Sequence, residues 1–239
     1  MKRTLKRMLP PWLLDRIEKY KYNLRVSEFH GMPIEEVFTN IYRKNHWGNT
    51  ETASGQGSGS QHMKHIVVPI NCLISELNVK RLLDIPCGDF NWVQHIDLTG
   101  IDYTGADIVD ALIEKNNKEF CTQIIRFDKI DLTKDRLPTN DLILNKDCFV
   151  HFSYNDIFKA LYNIKLSGSH YLMTTTFTKH GLNRDITTGD WRPLNLEEPP
   201  FQFPKPLKLI PEYCEVGWEM ENKGKALGVW QIENIPNYE

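Results

Sequence analysis

Four aspartates, Asp84, Asp107, Asp131 and Asp147, stand at or just beyond the ends of apolar runs, and His151 follows the last of them by one helical turn. A carboxylate accepts hydrogen bonds from hydroxyls and amines. A histidine is the side chain best suited to take up a proton near neutral pH. The segment RLLDIPCGDFNW (81–92) begins as an apolar strand, breaks at Pro86 and turns through Gly88. Gly88 has no Cβ, so the backbone there can approach a ligand closely. A helix starting near Asn91 would offer free N–H groups beside Asp89, Phe90 and Trp92. Buried strand, tight glycine turn and helix start are the parts of a nucleotide-binding βα unit. Asp107 and Ile108 close a second strand about 20 residues beyond Asp84, where a carboxylate can accept both hydroxyls of an adenosine ribose. An N-cap for the next helix suits Asp107 too.

These residues need a parallel sheet to bring them to one edge. Helices are expected at 35–43, 62–77, 91–96, 109–120 and from Ser153, whose capping box closes at Asp156. Strands are expected at 82–85, 101–108, 123–127, 141–147 and 170–177, with 207–210 and 226–233 last. Ligands then belong at the carboxyl ends of the strands.

The order Asp84/Gly88, Asp107, Asp131 resembles the class I S-adenosylmethionine (SAM)-dependent methyltransferases. The first motif of that family is acidic-x-Gly-x-Gly-x-Gly, and Pro86 and Phe90 replace its outer glycines here. The resemblance implies an α/β, Rossmann-like, mostly parallel seven-stranded sheet ending in an antiparallel hairpin, with an N-terminal helical extension. It implies a SAM-binding domain over 62–239, preceded by an extension and ligand loop over 1–61. It places the ribose on Asp107, and the adenine against Asp131, with Ile130 or Leu132 on the ring face. S-adenosylhomocysteine would be the product. The spacing GxGxxG is absent after Asp84, which argues against an NAD enzyme.

Ser54, Gly55, Gly57 and Ser58 could form a backbone nest for a carboxylate, or a flexible linker. Asp147 and His151 are candidates for proton acceptor or orienter, and His151 serves equally as a hydrogen-bonded support of the strand end. Residues 179–206 form a polar, aromatic, proline-braced insertion. Arg184, Asp185, Trp191, Arg192 and Asn195, with Trp47, are expected to wall the acceptor: Trp for a ring face, Arg for an anion. The Ser-Gly-x-Gly-Ser element and this insertion also resemble a bacterial subgroup that occurs with enzymes of surface-polysaccharide assembly. That implies a sugar hydroxyl as acceptor. An amine or small-metabolite acceptor stays open, as does a non-catalytic SAM-binding partner of a glycosyltransferase.

The chain has 239 residues, a net charge of −2 and 41% hydrophobic residues, which fit one α/β domain and give no nucleic-acid signature. Five cysteines without CxxC spacing supply neither a disulfide framework nor a metal set and suggest a reducing cytoplasm. No apolar run approaches the roughly 18–20 residues of a membrane span, and no signal peptide is evident. The basic, partly apolar segment 1–25 suits an anionic membrane, a partner enzyme, or a helix packed on the domain.

Overall fold

The computed structural model describes residues 10–47, 52, 60–212 and 223–238. Seven strands form one sheet in the order β3-β2-β1-β4-β5-β7-β6: β1 Arg81–Asp84, β2 Asp102–Asp107, β3 Ile125–Lys129, β4 Leu142–Asn145, β5 Tyr171–Phe177, β6 Lys208–Pro211 and β7 Lys225–Gln231. The first five run parallel, and β7 lies antiparallel to both β5 and β6. The expected sheet, with its antiparallel C-terminal pair, is therefore present. The helices are α1 Pro11–Val26, α2 Ile34–Arg43, α3 Ser60–Glu76, α4 Asp110–Phe120 and α5 Tyr154–Leu166.

Short apolar strands form here because both faces of the sheet are covered. Leu82, Leu142 and Leu144 face a core layer with Ile66, Ile70 and Leu73 of α3. Their neighbours Leu83 and Ile143 face the other layer, with Ile157, Leu161 and Ile164 of α5. The insertion belongs to this second layer through Leu194, Leu196, Phe201 and Phe203. Its Pro204 carbonyl accepts the Trp230 Nε1 hydrogen at 2.8 Å.

Some boundaries differ from expectation. The helix expected at 91–96 is a single 3-10 turn, Val93–His95. Strand β3 begins two residues late because Thr122 Oγ1 takes the N–H groups of Ile124 and Ile125. Strand β4 is shorter at both ends: Asp141 accepts the N–H groups of Lys80 and Arg81, and Asp147 turns to a left-handed φ of 54°. Ser153 caps α5 as foreseen, accepting from Asp156 N at 3.2 Å.

The N-terminal helices dock on the domain. Val26, Phe29, Val37 and Ile41 form a small core of their own. Arg25 pairs with Asp190 at 2.8 Å, and Thr187 N donates to Tyr22 Oη at 2.7 Å. Lys129 joins Glu35 of α2 to Asp110 of α4 at 2.7 and 2.8 Å. No helix among the described residues is long and apolar enough to cross a membrane.

Candidate functional site

The strand order reverses between β1 and β4, and a cleft opens at the carboxyl ends of these strands. Pro86, Gly88 and Trp92 line it from the first turn. Asp107 and Ile108 line it from the end of β2, Asp131 and Leu132 from beyond β3, and Asp147 and His151 from beyond β4.

Gly88 sits at φ 55°, a conformation glycine adopts without strain. Its N–H donates to Asp107 Oδ2 at 3.1 Å, and its carbonyl accepts from Asn116 Nδ2 at 2.8 Å. Asp107 Oδ1 accepts from Val109 N at 3.0 Å. One carboxylate thus braces the glycine turn and the start of α4 together. A carboxylate has about four lone-pair sites, so these bonds leave room for a ligand hydroxyl. Burial pushes the Asp107 carboxyl up to about 6, against the three backbone N–H groups of Val109, Gly88 and Ile108 that favour its charge.

Asp131 Oδ1 accepts from Thr133 N and Oγ1 at 2.9 and 2.6 Å. Its Oδ2 is buried and pairs with Lys134 Nζ at 3.1 Å, which raises the lysine's pKa. A carboxylate oxygen has a second lone pair, which an amine placed in the cleft would engage. Ile130 and Leu132 flank it as apolar surface.

Asp147 lies in a buried set of charges. Lys146 Nζ stands 2.5 Å and Lys225 Nζ 2.8 Å from its carboxylate, and Glu212 faces the two lysines at 3.5 and 3.2 Å. Burial alone would raise the Asp147 pKa, but the lysines outweigh it and hold the carboxyl well below the usual range. Burial works against the Lys225 ammonium as well, and Asp147 and Glu212 raise its pKa nonetheless. A carboxyl held low by two lysines suits Asp147 to the role of orienter better than to that of base. Its left-handed backbone is tolerable for aspartate and is fixed by Thr175 Oγ1, which accepts Asp147 N at 2.9 Å.

His151 Nδ1 lies 2.9 Å from the carbonyl oxygen of Asp190. A carbonyl can only accept, so Nδ1 carries the hydrogen and the Nε2 lone pair is left bare. Burial lowers the pKa to about 4, so the ring is neutral at pH 7. The Trp47 ring lies against it, centroids 5.0 Å apart.

Several expected contacts are absent. Asp84 is beneath the cleft floor, 1% exposed, and accepts from Tyr103 Oη at 2.7 Å. Burial raises its pKa to about 7. Phe90, at φ 58°, turns inward among Tyr103, Phe120 and Phe127. Asp89 Oδ1 accepts from Thr52 Oγ1 at 3.0 Å rather than facing the cleft. Ser54, Gly55, Gly57 and Ser58 lie outside the described residues.

Among the described residues, none from 179–206 lines the cleft, and of the six acceptor candidates only Trp47 does. Arg192 is 0% exposed and donates to the carbonyls of Phe149 at 2.6 Å, Phe152 at 2.7 Å and Arg184 at 3.2 Å. Arg184 is exposed. Asp185 Oδ1 accepts Tyr154 N at 2.7 Å at the start of α5. Trp191 meets Phe177 edge-on at 6.2 Å, and Asn195 donates to His180 O at 3.0 Å. The opposite wall comes instead from α2 and the turn after it: Ile34, Phe38, Tyr42 and Trp47. Ile34, Phe38 and Tyr42 recur every four residues, the one sequence signal that could have found them. Lys146, at the cleft floor 5.8 Å from the Trp92 ring centroid, was also missed.

No family model matches the sequence. No curated protein matches it either. Solved structures do. The chain is similar to the Burkholderia thailandensis 1,6-didemethyltoxoflavin-N1-methyltransferase, with a TM-score of 0.57, 13% identity, and coverage of 83% of this chain and 86% of that one. It is similar to the methyltransferase domain of bacterial CtHen1, with a TM-score of 0.51, 12% identity, and coverage of 70% and 98%. Protein PH0226 from Pyrococcus horikoshii OT3 aligns with a TM-score of 0.44 and 17% identity over 56% of this chain, which spans 65% of that protein. The first two likenesses, at these identities, establish the fold alone: the Rossmann-like fold of class I methyltransferases.

Proposed function

We propose that this chain is a SAM-dependent methyltransferase. The observation that carries the reading is the convergence of Gly88, Asp107 and Asp131 in one cleft at the strand reversal. Asp107 offers its carboxylate to the ribose hydroxyls, Asp131 the acceptor for an adenine amine, and Ile130 and Leu132 the apolar face for its ring. Lys146 and Trp92 stand at the glycine-turn end of the cleft, where the amino-acid part of the donor would lie. The structure of the Burkholderia protein holds S-adenosylhomocysteine, which supports this donor. SAM brings an activated methyl group, so the protein's task is alignment and exclusion of water. Neutral His151 supplies a proton acceptor for a hydroxyl, and Trp47, Phe38 and Tyr42 supply apolar ring faces.

A ring bearing a hydroxyl fits these groups. Together with the resemblance to the polysaccharide-associated subgroup, they support O-methylation of a sugar in a bacterial surface glycan or its precursor. A planar aromatic metabolite is the second reading, favoured by the aromatic wall of α2. The first test is calorimetric titration with SAM and S-adenosylhomocysteine. Binding in the micromolar range is expected, and no binding by either ligand overturns the reading. Mass spectrometry of surface glycans from cells with and without the gene then separates the acceptors: a lost sugar methyl supports the first, an unchanged glycan the second.

A further inference from the structure

The loop Thr187–Arg192 connects the N-terminal helix to the histidine at the cleft. On one side, Asp190 O accepts the Nδ1 hydrogen of His151, Gly189 N donates to His151 O at 2.8 Å, and Arg192 N donates to Val150 O at 3.1 Å. On the other side, the Asp190 carboxylate is held by Arg25 at 2.8 Å, and Thr187 N by Tyr22 Oη at 2.7 Å. The loop cannot slide between the two. Gly189 sits at φ 104°, and a Cβ there would lie 2.7 Å from Val37 and 3.0 Å from Phe29. The side chain of Asp190 is 10% exposed and that of Arg25 57% exposed, so the anchor is reached from the surface while the carbonyl it steadies is inside.

From this geometry we infer that Arg25, through Asp190, is a positioning residue that sets which nitrogen of His151 carries the hydrogen. The inference rests on the methyltransferase reading only for its catalytic meaning. The tautomer itself is a property of the chain. A carbonyl held in place admits only the Nδ1–H form, which leaves Nε2 bare toward its surroundings. Release of that carbonyl removes the reason for one tautomer over the other, and the ring can then turn or exchange its hydrogen. Helix α1 would then work as part of the site, though it lies outside the sheet. Among the described residues, the charged groups that bear on His151 are Asp190, Asp147 and Arg192, and Trp47 on its face is uncharged. A loosened Asp190 therefore changes the histidine's surroundings without removing any of its other neighbours.

The test is nitrogen NMR of the full chain labelled in its histidines, with a His151→Gln sample for assignment. In the wild-type protein at pH 7, Nδ1 is expected protonated and Nε2 bare. Arg25→Ala is expected to give mixed tautomers and a His151 midpoint higher by about one unit, in the direction of an ordinary histidine. Arg25→Lys, which keeps the ion pair, should restore the wild-type pattern. Tyr22→Phe removes the second tether and is an independent variant if Arg25→Ala melts early. A wild-type ring protonated on Nε2, or wild-type tautomer and midpoint in both folded variants, overturns the inference. S-adenosylhomocysteine titrated into the same samples keeps the two questions apart: absent binding sinks the donor reading and leaves the tautomer result intact.

Discussion

Replacing Arg192 by methionine tests whether this arginine serves the acceptor or the fold. Its guanidinium gives charged hydrogen bonds to two buried carbonyls, those of Phe149 and Phe152, and a longer one to the carbonyl of exposed Arg184. Bonds to a charged donor contribute about 1.5–3 kcal/mol each, and water can replace the Arg184 contact. The two interior bonds therefore amount to about 3–6 kcal/mol on that scale. Against this, burial disfavours the cation and lowers its pKa from 12.5 to about 10. Removal of the charge recovers about 3.5 kcal/mol at roughly 1.4 kcal/mol per unit. The net loss is about 1 kcal/mol, and for a domain of this size that lowers Tm by about 2–4 °C. Calorimetric melting of both proteins reads this directly. A Tm within about 1 °C of wild type, together with loss of methyl transfer, would falsify the structural role and return Arg192 to the acceptor site.

Asp107→Ala should weaken SAM and S-adenosylhomocysteine by about 1–3 kcal/mol through unpaired ribose hydroxyls; calorimetry showing undiminished affinity removes Asp107 from the donor site. His151→Ala should keep donor affinity and lower turnover about 100-fold or more once an acceptor is in hand. Lost donor binding or lost folding would mark His151 as a support instead. Asp84, raised by burial to about 7 from 3.8, binds a proton in the fold that the unfolded chain has released. Its contribution is complete below pH 3.8 and is lost as pH rises through 7. Hence Asp84→Asn should stabilise the protein at pH 8 relative to pH 5 by a few kcal/mol (about 1.4 per unit), read as the change in urea midpoint against wild type. Equal pH slopes in the two proteins refute it. The opposite slope from His151, whose depressed pKa of about 4 makes stability fall as pH drops below 6.5, is common to both and cancels.

The strands were legible because they are covered on both sides. Leu82-Leu83 and Leu142-Ile143-Leu144 alternate between two core layers, and only apolar residues survive at every position of such a strand. Asp107 and Asp131 were legible because strand ends at that spacing share one edge of the sheet. Phe90 was misplaced because its position after Gly88 says nothing of a left-handed φ, which turns the ring inward. Arg192 was misread for a different reason. A guanidinium recognises carbonyl and carboxylate oxygens alike, and the sequence does not say that the oxygens belong to its own backbone. On α2, Val37 and Ile41 face Phe29 and Val26 while Ile34, Phe38 and Tyr42 face the cleft. An apolar stripe is identical in sequence whether a core or a ligand lies against it.

The docking of α1 and α2 bears on the order in which the molecule is made. Their partners are Lys129 of β3 and the stretch from Thr187 to Asp190, all far along the chain. Synthesis runs from the N-terminus, so these helices leave the ribosome well before their landing surface exists. The sheet meanwhile grows from neighbours such as β1 and β2, which close over short loops. Helices α1 and α2 are thus made before the surface they dock on. The wall of Ile34, Phe38, Tyr42 and Trp47 is complete only when α2 has docked, so the cleft needs a closed long-range loop as well as the sheet.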